Sequence, residues 1–225
     1  MPRHLIAPLG TLALIALFPL SGATFYVELT TKIMIMAIFA LSLDLLVGWT
    51  GLVSFGHAAF FGVGAYALAL LSPKAAAAGL WSSLGIAIVA AALCALVVGI
   101  FVLRTRGIYF IMVTLAFAQM FYFVFHDTDF GGGSDGRYVN LKPDASVLGF
   151  TPFDLDKPNQ IYYVVLAVLV LVFAFLQMVL RSPFGRALQG IKANEQRMRA
   201  LGYPVTAYKL AAFTLAGALA GLAGY

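Results

Sequence analysis

The stretch from Arg181 to Lys209 reads RSPFGRALQGIKANEQRMRALGYPVTAYK, and it separates two strongly apolar runs at 159–180 and 208–225. A helix needs roughly 20 apolar residues to cross a bilayer, and both runs are close to that length. The sequence therefore predicts two membrane helices joined by a basic, polar segment.

That segment has the start and stop signals of a helix over 183–201. Ser182 can cap the beginning of this helix, and Pro183 suits its first turn. Gly202, followed by Pro204, is a strong stop signal. The predicted helix is therefore bounded at both ends by local sequence.

The predicted helix is amphipathic and basic. Its apolar residues fall on one face at helical spacing: Phe184, Leu188, Ile191, Met198 and Leu201. Its polar and basic residues fall elsewhere: Arg186, Gln189, Lys192, Gln196, Arg197 and Arg199. Such a helix beside membrane spans is a candidate handle by which a soluble protein moves the membrane part, and we expect its apolar face to make that contact.

The rest of the chain is also typical of a membrane protein. It is 62% hydrophobic and only 10% charged, whereas soluble domains carry about 25% charged residues. Five further apolar runs precede the two named above: 5–22, 27–49, 53–72, 79–103 and 108–126. The sequence thus predicts one all-α polytopic membrane domain over 1–225, with about seven membrane-embedded helices. Because the last apolar pattern is still running at Tyr225, we interpret the chain as a piece of a longer protein.

Charge distribution predicts the orientation of these helices. The 181–209 loop has six Lys or Arg against one Glu, and the 127–158 loop has six Asp against three Lys or Arg. Since Lys and Arg favour the cytoplasmic side, the first loop should be cytoplasmic and the second external. The N-terminus is then inside. The run 5–22 is read as an uncleaved first helix, and a cleavable signal peptide remains the alternative.

Polar residues inside apolar runs are candidates for a solute path, because ionisable or polar groups are costly at membrane depth. The run 53–72 holds several of them with glycines, which indicates either close helix packing or a broken segment lining a path. A purely structural role as hydrogen-bonding groups remains open for Asp44 and His57. The candidate path residues are Asp44, Ser54, Gly56, His57, Thr114 and Gln119.

Small residues in the last run predict a close helix–helix contact, within the chain or with a second subunit. They are Ala212, Ala216, Gly217, Ala220, Gly221 and Gly224.

Enzymatic and metal chemistry find no support in the sequence. The glycine-rich 131–136 stretch is not followed by the Lys-Ser or Lys-Thr of a phosphate-binding loop. The three histidines lack metal-ligand spacing, and the net charge of +5 is concentrated in a membrane loop rather than in a nucleic-acid-binding surface. We therefore expect no cofactor, no metal and no nucleic-acid partner.

The source of energy can also be addressed from the sequence. Ion-coupled carriers usually need charged groups deep in the bundle, yet 79–103, 108–126 and 159–180 have none at their centres. Energy supplied from outside the bundle fits better. An ion-coupled secondary transporter acting alone remains the alternative, followed by a membrane-embedded enzyme or scaffold.

Six segments together resemble the permease family of branched-chain amino acid ABC transporters: Leu43–Gly51, Ser54–Tyr66, Arg104–Phe110, Thr114–Gln119, Gly132–Gly136 and Arg181–Leu210. The resemblance implies a subunit without ATPase activity in the inner membrane of a bacterium. It implies two cytoplasmic ATP-binding subunits, a periplasmic solute-binding protein and a second permease subunit, commonly a different one. The solutes of such a family are branched-chain and other amino acids and related small polar molecules.

The resemblance also implies a coupling helix that seats in a groove of an ATP-binding subunit. The residues carried over to this role are Ser182, Pro183, Phe184, Gly185, Arg186, Leu188, Ile191, Asn194, Glu195, Leu201 and Gly202.

Overall fold

The computed structural model describes residue 16 and residues 18–21, 24–72, 79–128, 131–137 and 157–225. Within these ranges the chain is built from helices and their connections. The α-helices are α1 Thr24–Asp44, α2 His57–Leu71, α3 Leu80–Val102, α4 Ile108–Asp127, α5 Pro158–Arg181, α6 Pro183–Ala193, α7 Glu195–Ala200 and α8 Val205–Gly224. A π-helical segment, Leu45–Thr50, continues α1, and short 3₁₀ turns occur at Phe18–Ser21 and Gly133–Asp135.

Five of the described helices are long and apolar enough to cross a membrane: α1 with its π-helical end, α3, α4, α5 and α8. The helix α2 is shorter but apolar. The prediction of an all-α polytopic membrane protein is therefore confirmed. The predicted run 5–22 lies mostly outside the described residues, as does most of the 127–158 loop.

The helix α8 lies at the centre of the bundle and packs against α1, α2 and α3. The small residues predicted to form a helix contact lie at these crossings, and all of them except the partly exposed Gly224 are buried. A Cβ atom on Gly217 would lie 2.3 Å from the Cβ of Ala95, and one on Gly221 would lie 2.2 Å from the Cβ of Ala91. Glycine thus allows α8 to pack directly against the alanine methyl groups of α3, and the partner of the stripe lies within this chain.

A second contact joins α1 to α5 at the other side of the bundle. Val27 and Met34 of α1 are buried together with Tyr162 and Leu166 of α5. The first and fifth helices therefore flank the α2–α3–α8 core. This arrangement brings the end of α1 close to the α5–α6 corner, where the candidate coupling segment begins.

Candidate coupling surface and polar cavity

The start of α6 has the capping geometry that the sequence predicts. The Ser182 Oγ accepts a hydrogen bond from the Gly185 amide at 3.4 Å and donates one to the Val179 carbonyl at 2.5 Å. Pro183 occupies the first turn, where its missing N–H costs nothing. A Cβ on Gly185 would lie 2.3 Å from the Leu180 carbonyl oxygen, so glycine permits the sharp corner between α5 and α6.

The apolar face of α6 packs against the membrane helices of this chain. Leu188 is fully buried and Ile191 is 3% exposed. The Phe184 ring stacks on Tyr208 of α8, with ring centroids 5.6 Å apart. This corrects the expectation that Leu188 and Ile191 contact a partner protein, because their surface is already covered by the membrane bundle. Sequence periodicity identified the apolar face but not what covers it.

The predicted single helix over 183–201 is also corrected. Asn194 adopts an extended conformation, with φ −159° and ψ 99°, and divides the segment into α6 and α7. Its side-chain oxygen accepts a hydrogen bond from the Arg197 amide at 2.9 Å, which caps the new helix. Leu201 is then 66% exposed instead of continuing the buried face. Gly202, at φ +85°, ends the segment as predicted.

The outward surface of this elbow is polar and basic. We define the outer face of α6–α7 by four exposed side chains: Arg186, Gln189, Arg197 and Leu201. Three of them carry the positive charge or hydrogen-bonding groups predicted for a docking helix. Leu201 adds an exposed apolar group that a partner protein could cover.

A lysine joins α6 to the π-helical end of α1. The Lys192 Nζ donates a hydrogen bond to the Gly48 carbonyl at 2.5 Å. A Cβ on Gly51, which has φ +73°, would lie 3.3 Å from Lys192 Cγ, so the lysine stem also rests against the turn that follows. A cation at the carboxyl end of a helix is favourable, because carbonyl groups there lack partners.

A second polar contact centres on Glu195 at the beginning of α7. Its carboxylate oxygens lie 2.7 Å from Lys209 Nζ, 2.6 Å from an Arg199 nitrogen and 3.9 Å from an Arg106 nitrogen. Partial burial of Glu195 by itself raises the pKa of this carboxyl. The hydrogen bond from Lys209 and the charges of Lys209, Arg199 and Arg106 outweigh that effect, and the net pKa is lowered. Glu195 thus ties α7 to α8 and to the α3–α4 connection.

We expect Glu195→Gln to lower the free energy of unfolding by about 1 kcal/mol at pH 7, because partly exposed ion pairs contribute little individually. A lowered pKa in the folded state stabilises the protein above the ordinary glutamate value of about 4.3. That stabilisation is lost as the pH falls through the lowered folded-state pKa. Thermal unfolding of the purified protein in detergent, at several pH values, measures the effect.

The control for this variant is Glu28→Gln, which removes the same charge from an exposed position on α1. The difference between wild type and Glu195→Gln should disappear in the acidic range, while Glu28→Gln should follow wild type throughout. An equal loss for both variants at pH 7 would contradict the assigned network.

The connection between the π-helical segment and α2 is irregular and packs against α4, a helix long enough to cross a membrane. The Phe55 amide donates a hydrogen bond to Thr114 Oγ1 at 3.2 Å, and a Cβ on Gly56 would lie 2.3 Å from the Thr114 carbonyl oxygen. Thr114 is six residues into α4, which places this contact about 9 Å from the start of that helix. Non-helical backbone at such depth is tolerated where protein or a cavity surrounds it.

The structure brings together four of the six candidate path residues. Ser54, Gly56 and Thr114 line one small cavity, whose other lining residues are aromatic or small and apolar. His57 lies beside it at the start of α2, and its Nε2 is 2.9 Å from Ser42 Oγ. Ser42 itself was missed, since nothing distinguishes it from other serines in an apolar run.

The other two candidates lie elsewhere. Asp44 is exposed at the end of α1, where a Cβ on Gly48 would lie 2.3 Å from its carboxylate oxygen. Gln119 is exposed on α4. Neither lines the cavity, so the structure separates them from the other four.

Comparison with known proteins adds three findings. Residues 25–225 match the family described as branched-chain amino acid transport system / permease component. The chain is 33% identical to the high-affinity branched-chain amino acid transport system permease protein LivM of Salmonella typhimurium, and 34% identical to the protein of the same name from Escherichia coli. Each match covers 88% of this chain and 51% of the relative, so the chain spans about half the length of these curated relatives. No solved structure matched.

The family match extends over α1–α8, and it therefore includes both the basic elbow and the polar cavity. The helical architecture agrees with it independently, since the chain is a multi-pass membrane protein by the length and composition of its helices. On these grounds the chain belongs to the family of permease components of branched-chain amino acid transport systems.

Proposed function

We propose that this chain is a permease subunit of an ABC importer for branched-chain or related amino acids, and that separate ATP-binding subunits drive it through α6 and α7. The observation that carries this proposal is the two-sided character of α6. Its apolar side is fixed to the bundle by Leu188 and Ile191, while its polar and basic side is exposed. A helix of this kind is suited to receive a force on one side and pass it to the membrane helices on the other.

The contacts of α6 provide the route for that force. Leu188 belongs to the same buried cluster as residues of α1, α2, α5 and α8. Lys192 holds the π-helical end of α1, and Glu195 holds α8 through Lys209. A partner that binds the outer face of α6–α7 differently before and after ATP hydrolysis would bias the whole bundle between two conformations.

The docking contact that we assign to the partner is smaller than the sequence suggested. It comprises the outer face of α6–α7, with Pro183 and Gly202 at its ends. Ser182, Gly185, Asn194 and Glu195 shape the elbow from within the chain, and Phe184, Leu188 and Ile191 anchor it. ATP hydrolysis takes place on the partner subunits in this proposal.

The further partners follow from the family. A second permease subunit, commonly a different chain, completes the path, and a periplasmic binding protein delivers the solute. The charge asymmetry of the loops supports a cytoplasmic position for α6–α7 and an external one for the 127–158 loop. The inner membrane of a bacterium follows from the family. Ser54, Gly56, His57 and Thr114 belong to the path, whereas the exposed Asp44 and Gln119 have no part in the cavity.

The experiment is uptake of radiolabelled leucine, isoleucine and valine by membrane vesicles that hold the full-length permease with its partner permease, both ATP-binding subunits and the binding protein. We expect uptake that requires ATP inside the vesicles. Replacing the catalytic residue of the ATP-binding subunits should abolish it, although the complex still assembles. Wild-type uptake driven by an ion gradient in vesicles without ATP would contradict the proposal and favour a secondary transporter.

A further inference from the structure

We propose that Ser54 and the first amides of α2 bind the carboxylate of the transported amino acid. This inference rests on the proposed function and assigns one end of the solute to particular atoms. It concerns the irregular segment before α2, where a helix begins inside the membrane rather than at its surface.

The amino end of α2 is uncapped. Gly56 precedes the helix and offers no side chain, and no side-chain cap hydrogen bond is formed there. The Ala59 amide donates to the Gly56 carbonyl at 3.1 Å, while the amides of His57 and Ala58 belong to the group that a helix cannot satisfy internally. These N–H groups and the positive end of the helix dipole favour an anion.

Ser54 supplies an independent indication of a ligand. The residue is only 5% exposed, and its Oγ has no hydrogen-bond partner. The same residue lines the cavity beside Gly56 and Thr114. A buried hydroxyl without a partner is costly, and in native proteins it calls for an explanation such as a missing ligand.

The cavity suits a carboxylate in its charge as well. None of the residues that line it is acidic: they are Ser54, Gly56, Ala59, Phe60, Val98, Thr114, Phe117, Phe121 and Phe213. Thr114 Oγ1 is already occupied, since it accepts from the Phe55 amide and donates to the Ile111 carbonyl. The Ser54 hydroxyl is therefore the free donor in the lining, and the amides of His57 and Ala58 follow it closely in the chain, within the Gly56–Ala59 turn.

An apolar groove adjoins the polar cavity and suits the solute's side chain. The groove has a volume of about 600 Å³ and runs between α2, α3 and α4. It shares Val98, Phe117 and Phe121 with the cavity. An amino acid with a branched aliphatic side chain would thus place its carboxylate at Ser54 and its hydrocarbon part in the groove, on either side of the two phenylalanines.

The site is closed in this conformation, because the cavity has no room for a water molecule. Phe117 and Phe121 lie on α4, the described membrane helix with the fewest buried residues, namely Phe110 and Thr114. A helix that is packed so lightly can move without exposing a large apolar core. Opening therefore requires a displacement of α4 or rotation of these two rings.

The test compares Ser54→Ala, Ser54→Thr and Ser82→Ala in the full-length transporter with all its partners, reconstituted in vesicles with internal ATP. Ser82 is an exposed serine on α3, so its variant controls for loss of a hydroxyl as such. The readouts are the rate of leucine uptake over a range of concentrations of loaded binding protein, and the thermal unfolding midpoint of each permease.

We expect Ser54→Ala to lower the maximal uptake rate by about tenfold or more, because a hydrogen bond to a charged group is lost. Its unfolding midpoint should not fall, since the hydroxyl has no partner when the solute is absent. Ser54→Thr, which keeps the hydroxyl, should retain most of the rate, and Ser82→Ala should match wild type.

Two other outcomes would overturn the inference, and they can be told apart. If wild type takes up leucine and Ser54→Ala does so equally well, the carboxylate site is wrong while the proposed function stands. If the wild-type complex imports only neutral amides or no amino acid at all, the proposed function fails together with the inference.

Discussion

Reversing the charge at Arg186 is expected to separate ATP hydrolysis from uptake. Arg186 is exposed on the outer face of α6–α7, and it is two residues, about half a helical turn, from the buried Leu188 that fixes α6 to the bundle. A glutamate in its place would put like charge against a surface suited to a cation, which weakens docking. We expect Arg186→Glu to lower ATP-driven leucine uptake by at least about tenfold, equivalent to about 1.4 kcal/mol in coupling.

The measurement is uptake and phosphate release by the same reconstituted complexes. Hydrolysis should continue at a rate close to wild type, and the permease should remain folded in the membrane. Arg137→Glu is the control, because it makes the same exchange on an exposed residue of the predicted external loop. Normal uptake by Arg186→Glu with an intact ATPase would remove the outer face of α6–α7 from the coupling surface.

Replacing Gly221 by valine is expected to destabilise the folded bundle strongly. Gly221 lies where three helices meet: its added Cβ would lie 2.2 Å from Ala91 of α3, and its carbonyl is 2.2 Å from the position of a Cβ on Gly64 of α2. The Ala91 methyl group cannot withdraw, because it is a short side chain on a packed helix, and the close contact with the Gly64 backbone limits the freedom of α8 to shift. We expect a loss of about 3 kcal/mol or more in the free energy of unfolding, the upper end of overpacking costs.

Yield of monodisperse protein after detergent extraction, followed by thermal unfolding, measures this effect. Gly85→Val is a matched control, since Gly85 lies in α3 and a Cβ there would meet nothing within 4 Å. A Gly221→Val protein that extracts and unfolds like Gly85→Val would show that the crossing is looser than described.

Much of the fold could be predicted from sequence because membrane helices depend on length and apolar content, which are local properties. The start of α6 could also be predicted, since Ser182 and Pro183 favour the beginning of a helix through local capping and backbone geometry. The break at Asn194 could not be predicted with the same certainty. An asparagine within a helical pattern is tolerated, so its presence does not predict a break. Here the Asn194 side chain caps α7. Met198 packs against Gly190, where an added Cβ would lie 2.8 Å from the methionine sulfur.

The candidate site was predicted in part for a related reason. Polar residues in an apolar run stand out in sequence, and so Ser54, His57 and Thr114 were identified. Their common location depends on the irregular segment before α2, which brings residues of α2 and α4 together. Asp44 and Gln119 stand out equally in sequence, yet the rotation of their helices, set by packing alone, leaves them exposed.

The link between Lys192 and Gly48 has a mechanical consequence. The Lys192 side chain has several rotatable bonds, so its ammonium group can keep the hydrogen bond to the Gly48 carbonyl when α6 and α1 move slightly relative to each other. Phe184, Leu188 and Ile191, which pack against the bundle on the other side of α6, have no comparable conformational freedom. The contact between α6 and the bundle is therefore compliant at Lys192 and stiff along its buried face, and under the proposed function a force applied to α6 would rotate it about the stiff face rather than slide it.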